Sequence, residues 1–227
     1  MAGLSLEHKR DLHLIRWSIC AVVVIILSVA GLFAYRWYTE GSRPPLVPLP
    51  ATAYADSGIN ETPVSQHDID DYTVPDTNPR YISIPALSVL KVRVATTGMT
   101  NGILNMPTRL DDAAWYDKSA FPGQGFGSVL IAGNAAGAHR NGPFVNLSKL
   151  KSGDKIVIER GDGKQFSYHV VKSATMSLKD VNATGMQELA TPLDASREGL
   201  GMITYAGTWI PRDHIYTERV LVWATAQ

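Results

Sequence analysis

The 227-residue chain divides into three stretches that differ in how apolar and polar residues follow one another. The first is the charge-free run "WSICAVVVIILSVAGLFAY" at residues 17–35, which would be apolar on every face of a helix. As a helix it would be about 28 Å long, close to the thickness of the hydrocarbon core of a bilayer. The pattern predicts a transmembrane anchor over residues 17–38, preceded by a short N-terminus over residues 1–16.

The residues that flank the apolar run predict its orientation. Lys9, Arg10 and Arg16 precede it, and Trp17 and Tyr35 stand at its two ends like interfacial aromatic residues. Basic residues mark the cytoplasmic side, so we expect a cytoplasmic N-terminus and an extracellular C-terminal part. A cleaved signal peptide is the alternative, but the run has full spanning length and no small-residue cleavage site follows it.

The second stretch, residues 39–79, shows no periodicity. Residues 44–79 contain seven prolines, six acidic residues and no lysine or arginine. Such a composition predicts an extended, acidic linker that holds the following domain away from the membrane. An alternative is that its acidic run "SQHDIDDYTVPDT" docks on the domain or on a partner.

The third stretch, residues 80–227, consists of short runs rich in Val, Ile, Tyr and Thr, several of which alternate with period two. The candidate strands are "YISIP", "VLKVRV", "SVLIAG", "DKIVIER", "KQFSYHVVKSATM", "LGMITYA" and "IYTERVLVWA". "GDGK" predicts a hairpin turn, and "DDAAWYD", "PFVNLSKL" and "MQELA" predict single helical turns or brief helices. The pattern predicts a mainly β domain, a closed or partly closed barrel.

Charge and cysteine content narrow the function classes. The formal net charge is zero, which gives no electrostatic argument for nucleic-acid binding. The single cysteine, Cys20, lies in the apolar run, so the domain has no disulfide, thiol or CxxC site. His139, His169 and His214 lack the spacing of zinc ligands. We therefore expect no metal and no cofactor.

Four segments of the third stretch carry a resemblance. "NPRYISIPALSV", "NGILNMPTRLDDAAWYDKSAFPGQGFGSVLIAG", "GPFVNLSKLKSGDKIVIERGDG" and "LGMITYAG…YTERVLVWA" resemble, in order and spacing, the sortase family, above all its membrane-anchored class E and class F members. The resemblance implies an eight-stranded β-barrel with short helices, facing outward from the cell membrane. It also implies a transpeptidase that cleaves sorting signals of secreted proteins through a thioacyl intermediate.

The resemblance places the family's three catalytic positions on this chain. Its histidine falls on Asn134, its cysteine on Tyr205 and its arginine on Arg219. A phenol, with an ordinary pKa of about 10, is a much weaker nucleophile at pH 7 than a thiolate, and an amide cannot shuttle protons. The resemblance therefore predicts a sortase-like pseudoenzyme, catalytically inactive or nearly so, that retains only Arg219.

Three functions remain open at this stage. The first is a monomeric module that binds a sorting-signal peptide or another protein of the cell envelope. The second is an active transpeptidase or hydrolase with relocated residues, such as His139 with Thr204 or Tyr205. The third is a purely structural surface domain, which a cleft plugged by the Tyr205 ring would favour.

Overall fold

The computed structural model describes residues 4–42 and 58–227, with side chains from residue 13 onward. Helix α1 (Leu4–Glu40) contains the apolar run, and its apolar side chains from Leu14 to Tyr35 are exposed. Within the described chain it is the one helix long and apolar enough to cross a membrane. Most of the first half of the predicted linker, residues 43–57, lies outside the described residues.

A short helix and ten strands follow. Helix α2 (Gln66–Asp70) precedes the strands β1 (Pro79–Ile84), β2 (Val89–Thr97), β3 (Met99–Thr100), β4 (Ile103–Leu104), β5 (Ala113–Tyr116), β6 (Ser128–Gly133), β7 (Lys155–Arg160), β8 (Gln165–Ser177), β9 (Gly199–Ile210) and β10 (Ile215–Ala226). Eight of them close a barrel in the order β1-β2-β5-β6-β9-β10-β8-β7, while β3 and β4 form a separate hairpin. The predicted eight-stranded barrel is confirmed.

Helical turns occupy the connections. Between β8 and β9 the chain forms α3 (Leu178–Asp180), a π-helical turn (Val181–Gly185) and α4 (Met186–Ala190), where "MQELA" predicted a helix. "PFVNLSKL" contains a 3-10 turn at Leu147–Lys149, in agreement with the predicted helical turn. "GDGK" makes the turn between β7 and β8 with Gly163 at φ +79°, as expected.

The core has two parts because β6 and β9 are covered on both faces. Alternate residues of these strands, such as Ile131 and Met202, point into the barrel, where they pack with Phe144 and Tyr168. Their neighbours, such as Ile203, point outward and pack under the π-turn and α4 through Val181, Met186 and Leu189. This double coverage explains why "SVLIAG" and "LGMIT" are apolar on both faces apart from Ser128 and Thr204, which are both buried.

The prediction of a brief helix in "DDAAWYD" is wrong. The segment forms β5, which pairs parallel to β2 and antiparallel to β6. Ala113 and Trp115 point into the barrel core, and the Trp115 Nε1–H donates to the carbonyl of Ala120 at 3.0 Å. Strand pairing on both sides therefore overrides the helical preference of the two alanines.

The prediction of a solvated linker also needs correction for residues 58–79. The Tyr72 hydroxyl donates to the carbonyl of Val94 at 2.8 Å, and the Tyr72 carbonyl accepts from Arg80 Nε at 2.5 Å. The Val64 amide donates to the Asp111 carboxylate at 3.2 Å. This part of the acidic stretch docks on the barrel, which was the alternative interpretation of the sequence.

Candidate functional site

Three adjacent strands carry the positions that we matched to the family's catalytic residues. Asn134 directly follows β6, Tyr205 lies on β9 and Arg219 lies on β10. Because β6, β9 and β10 are neighbours in the barrel, the three side chains converge. All three line one cleft with a volume of about 320 Å³. The cleft is present beside the Tyr205 ring, so that ring forms part of its wall and does not fill it.

The β3–β4 hairpin and the loop after it form the opposite wall. Asn101 and Gly102 turn the hairpin with φ values of +52° and +77°. Ile103, Leu104 and Met106 then supply an apolar surface to the cleft. Among the described residues no carboxylate lines the cleft, and Arg219 is its one charged group. The cleft therefore combines an apolar wall with neutral polar groups and a single cation.

Asn134 is fully buried, with 0% of its surface exposed. Its Nδ2 donates to the carbonyls of Pro107 at 3.0 Å and Arg109 at 3.1 Å. Since carbonyls only accept, this pair fixes which way the amide faces, and Oδ1 has no partner in the part of the chain that the structure describes. Asn134 thus ties the cleft loop to the end of β6, a role that requires no titrating group.

The Tyr205 ring is held between two other groups. It stacks on the ring of Tyr216 with a centroid distance of 5.3 Å and an interplanar angle of 19°. The Arg219 guanidinium carbon lies 4.6 Å from the Tyr205 centroid, a cation–π arrangement. The Trp209 ring also packs against the Tyr216 ring, with a centroid distance of 5.0 Å and an interplanar angle of 56°. Tyr205 therefore belongs to an aromatic cluster that supports the cleft and holds Arg219.

Arg219 is buried, with 3% of its surface exposed. Its Nη1 donates to the carbonyls of Tyr216 and Glu218, both at 2.8 Å. Burial lowers the pKa of Arg219, and the Tyr205 phenol opposes this shift. No described ion pair joins Arg219 to Glu218, whose backbone carbonyl accepts the hydrogen bond.

The structure does not assemble the relocated site that we considered. Thr204 is buried, and its Oγ1 donates to the carbonyl of Gly133 at 2.6 Å. His139 has 72% of its side chain exposed, and its Nδ1 lies 3.5 Å from Oε1 of Glu61. Neither residue is among those described that line the cleft. The described side-chain contact of His139 is with a carboxylate and not with a hydroxyl.

Residues 58–72, here called the strap, are the part of the site that the sequence analysis missed. Asn60 pairs with the cleft loop, its N–H donating to Thr108 at 3.0 Å and its carbonyl accepting from Leu110 at 2.9 Å. This pairing places Ile59 in the wall of the cleft. The motif "SQHD" offered a signal, because Ser65 and Asp68 form a capping box at the start of α2.

The Glu61 carboxylate fastens the strap to a second loop. It accepts hydrogen bonds from the backbone N–H of Ala138 at 2.6 Å and of His139 at 3.1 Å. Burial raises the pKa of Glu61, but these hydrogen bonds and the nearby imidazole more than offset that effect and lower it. Arg140 adds a hydrogen bond from Nη2 to the Glu61 carbonyl and an ion pair with Asp111.

Comparison with known proteins agrees with this architecture. The family model of the sortase domain matches residues 82–227. The chain belongs to the sortase family. The match covers all of the barrel except the first residues of β1, together with the cleft positions Asn134, Tyr205 and Arg219. Curated protein sequences give no match.

Solved sortases of several classes are structurally similar to this one. Sortase A from Corynebacterium diphtheriae is 21% identical with a TM-score of 0.50, over 77% of this chain and 75% of that chain. Sortase E1 from Streptomyces coelicolor, solved with a tripeptide in its active site, is 20% identical with a TM-score of 0.46, over 68% and 91% of the chains. A Clostridium perfringens sortase D5 transpeptidase is 19% identical with a TM-score of 0.46, over 72% and 89%. The 21% identity with the Corynebacterium sortase, at a TM-score of 0.50, shows a common fold only.

Proposed function

We propose that this sortase-family protein is a membrane-anchored pseudoenzyme whose barrel binds a peptide or protein of the cell envelope without cleaving it. One observation carries the proposal. Asn134, Tyr205 and Arg219 line a single open cleft, while the only cysteine of the chain, Cys20, lies in α1. The place for a ligand is present, and the thiol for covalent catalysis is not.

The chemistry of the cleft supports binding over turnover. A thioacyl intermediate needs a thiolate to attack the carbonyl and an acid to protonate the leaving amine. The Tyr205 ring is stacked against Tyr216, and the Asn134 amide is occupied with two backbone carbonyls. Arg219 alone could hold a ligand, but binding energy without a nucleophile does not break the bond.

The other two functions receive less support. The relocated-enzyme alternative requires an imidazole beside a hydroxyl, whereas His139 contacts Glu61 and Thr204 donates to a backbone carbonyl. The purely structural alternative requires a filled cleft, and the Tyr205 ring leaves it open. The exposed apolar helix α1 supports membrane anchoring, and Lys9, Arg10 and Arg16 favour an outward-facing barrel.

The test measures cleavage and binding of the same peptides. The full chain, in detergent micelles, is incubated with fluorescent sorting-signal peptides and an amine acceptor, and products are followed by mass spectrometry. We expect anisotropy to report binding that Arg219→Gln weakens, with no cleaved or transferred product. Product formation that disappears in His139→Ala or Thr204→Ala would identify an active enzyme instead. Peptides that neither bind nor react would favour the structural alternative.

A further inference from the structure

The charge of Arg219 is not balanced by any described carboxylate. Arg219 is the one arginine among the buried residues, yet it forms no ion pair within the described chain. Both of its Nη1 bonds go to neutral backbone carbonyls, and Nε has no partner. A buried cation without a counter-charge is costly, so a position of this kind indicates a missing anion.

Other arginines of the same barrel have their charge balanced by a carboxylate. Arg93 binds the Asp112 carboxylate through both Nε and Nη2, with distances from 2.8 to 3.0 Å. Arg160 pairs with Asp162 through the same two nitrogens, and Arg140 pairs with Asp111 through Nη1 and Nη2. These three arginines are more exposed than Arg219 and still have carboxylate partners. The exception is the arginine that lines the cleft.

The geometry of the guanidinium defines which nitrogen a ligand can reach. The two Nη1 hydrogen bonds occupy the side facing the backbone of β10, and the Tyr205 ring covers one face. Nε is fully buried and has no partner within the described chain. Nη2 is then the nitrogen from which the guanidinium can donate a charge-assisted hydrogen bond to a carboxylate in the cleft. Because two carbonyls and a ring already hold Arg219, its side chain loses little further freedom on binding.

We propose that the cleft recognises a carboxylate, carried by a peptide segment whose apolar side chain lies against Ile103, Leu104 and Met106. The inference rests on the proposed binding function and specifies its ligand: the carboxylate belongs to a free C-terminus or to an acidic side chain. A single cation matches the single charge of a carboxylate, and the apolar wall supplies the remaining affinity.

The test uses three tripeptide probes on the full chain in detergent micelles. Acetyl-Ala-Leu-Ala with a free carboxylate is compared with its carboxamide and with acetyl-Glu-Leu-Ala carboxamide, by saturation-transfer NMR titration. We expect the free acid to bind about tenfold more tightly than the amide, which corresponds to about 1.4 kcal/mol. The Glu-containing probe separates the two carboxylate sources: binding as tight as that of the free acid would indicate an acidic side chain.

Variants assign the preference to Arg219. In Arg219→Gln the acid-to-amide ratio should fall to about one, whereas Arg219→Lys should retain part of it and shows that loss of the fold is not the cause. Arg197→Gln, which removes an exposed arginine paired with Asp194, is the matched control and should leave the ratio unchanged. Equal binding of all three probes to the unaltered chain would overturn the carboxylate inference and leave peptide binding intact. Absence of binding by every probe would overturn both.

Discussion

The side chain at position 205 is part of a stack and cannot be exchanged without effect on its neighbours. Tyr216 supports one side of the Tyr205 ring, and the Arg219 guanidinium lies over the ring. Replacing the phenol with a thiol removes both contacts while it introduces a nucleophile. The consequences for reactivity and for Arg219 are therefore coupled.

We expect Tyr205→Cys to react with iodoacetamide but not to turn over sorting-signal peptides. The new thiol lines the cleft and is accessible, but Asn134 cannot protonate the leaving amine. Intact-mass spectrometry measures the labelling, and Thr204→Cys is the matched control, because that side chain is buried and should label more slowly. Efficient turnover by Tyr205→Cys alone would show that another group serves as the proton donor.

Adding Asn134→His should destabilise the domain before it restores activity. Asn134 Nδ2 donates to two backbone carbonyls at once, and a neutral imidazole can donate from only one nitrogen. Leaving one buried carbonyl unpaired costs about 1–3 kcal/mol. Thermal unfolding of Asn134→His against the unaltered chain measures this cost. An unchanged melting temperature, with turnover in the double variant, would mean that the cleft accepts a catalytic pair without rearrangement.

The sequence located the cleft residues only in part. Asn134, Tyr205 and Arg219 were found through family resemblance, and the strand order that brings them together follows from the same fold. The Tyr205–Tyr216 stack depends on side-chain torsions. The hydrogen bond from the Asn134 amide depends on a loop carbonyl 27 positions away in the chain. Neither has a local sequence signature, so neither could have been predicted.

Among the secondary elements, the strap contributes most to the site beyond the barrel itself. Its Glu61 carboxylate caps two backbone N–H groups of the loop that contains His139. Gly137 makes this approach possible, since a Cβ there would lie 2.6 Å from the Glu61 carboxyl carbon. The position of Ile59 in the cleft wall depends on this attachment.

We expect Glu61→Gln to lower the melting temperature by about 2–4 °C near neutral pH, the effect of about 1 kcal/mol in a domain of this size. Because the pKa of Glu61 is lowered on folding, its carboxylate stabilises the fold above the ordinary value of 4.5. That contribution is lost as the pH falls through the lowered pKa. The difference between the two proteins should therefore shrink below pH 4.5.

Thermal unfolding between pH 3 and pH 8 measures this difference. Glu188→Gln is the control, because the Glu188 side chain takes part in no described hydrogen bond or ion pair, and its backbone carbonyl accepts from Thr191 and Trp223. The control should track the unaltered chain at every pH. A Glu61→Gln deficit that stays constant down to pH 3 would show that steric fit, and not the charge, holds the strap.

The sequence predicted strands correctly where apolar and polar residues alternate. It failed where pairing with neighbouring strands determines the secondary structure. The runs of β7 and β8 alternate clearly, and their turn carries a glycine at positive φ. The alanines of β5 favour a helix locally, and only the neighbours β2 and β6 make it a strand. The strap has few apolar residues and is attached to the barrel by backbone and carboxylate hydrogen bonds. Such hydrogen bonds leave no periodic pattern of apolar residues in the sequence.

For the whole molecule, the autonomous unit should begin at about residue 58 and not at residue 80. A chain of residues 58–227 retains Glu61, Tyr72 and the docked strap, so we expect cooperative unfolding and β-type circular dichroism. A chain of residues 80–227 loses those contacts and should melt several degrees lower. Equal melting temperatures of the two would show that the strap adds no stability to the barrel.

The proposed membrane topology predicts which part of the protein is accessible from outside. With Lys9, Arg10 and Arg16 in the cytoplasm, protease added to intact cells should remove the barrel. An N-terminal tag should remain protected until the membrane is permeabilised. Immunoblotting of both ends measures this, and a cytoplasmic protein is the control for cell integrity. Complete protection of the barrel would reverse the orientation.

The order in which strands join the barrel bears on how quickly it can form. β6 pairs with β9, and β1 pairs with β7, so each closure joins residues about 70 to 80 positions apart. Bringing such distant segments together costs chain entropy before any stabilising contact forms. Folds dominated by such long-range pairing therefore take on the order of milliseconds to seconds to form. The β7–β8 hairpin can form at once, but the barrel cannot close until β9 and β10, which follow the other described strands in the chain, are available. Until then β6, which is apolar apart from Ser128, has an unpaired edge, and this makes the newly made chain prone to aggregation until β9 has paired with it.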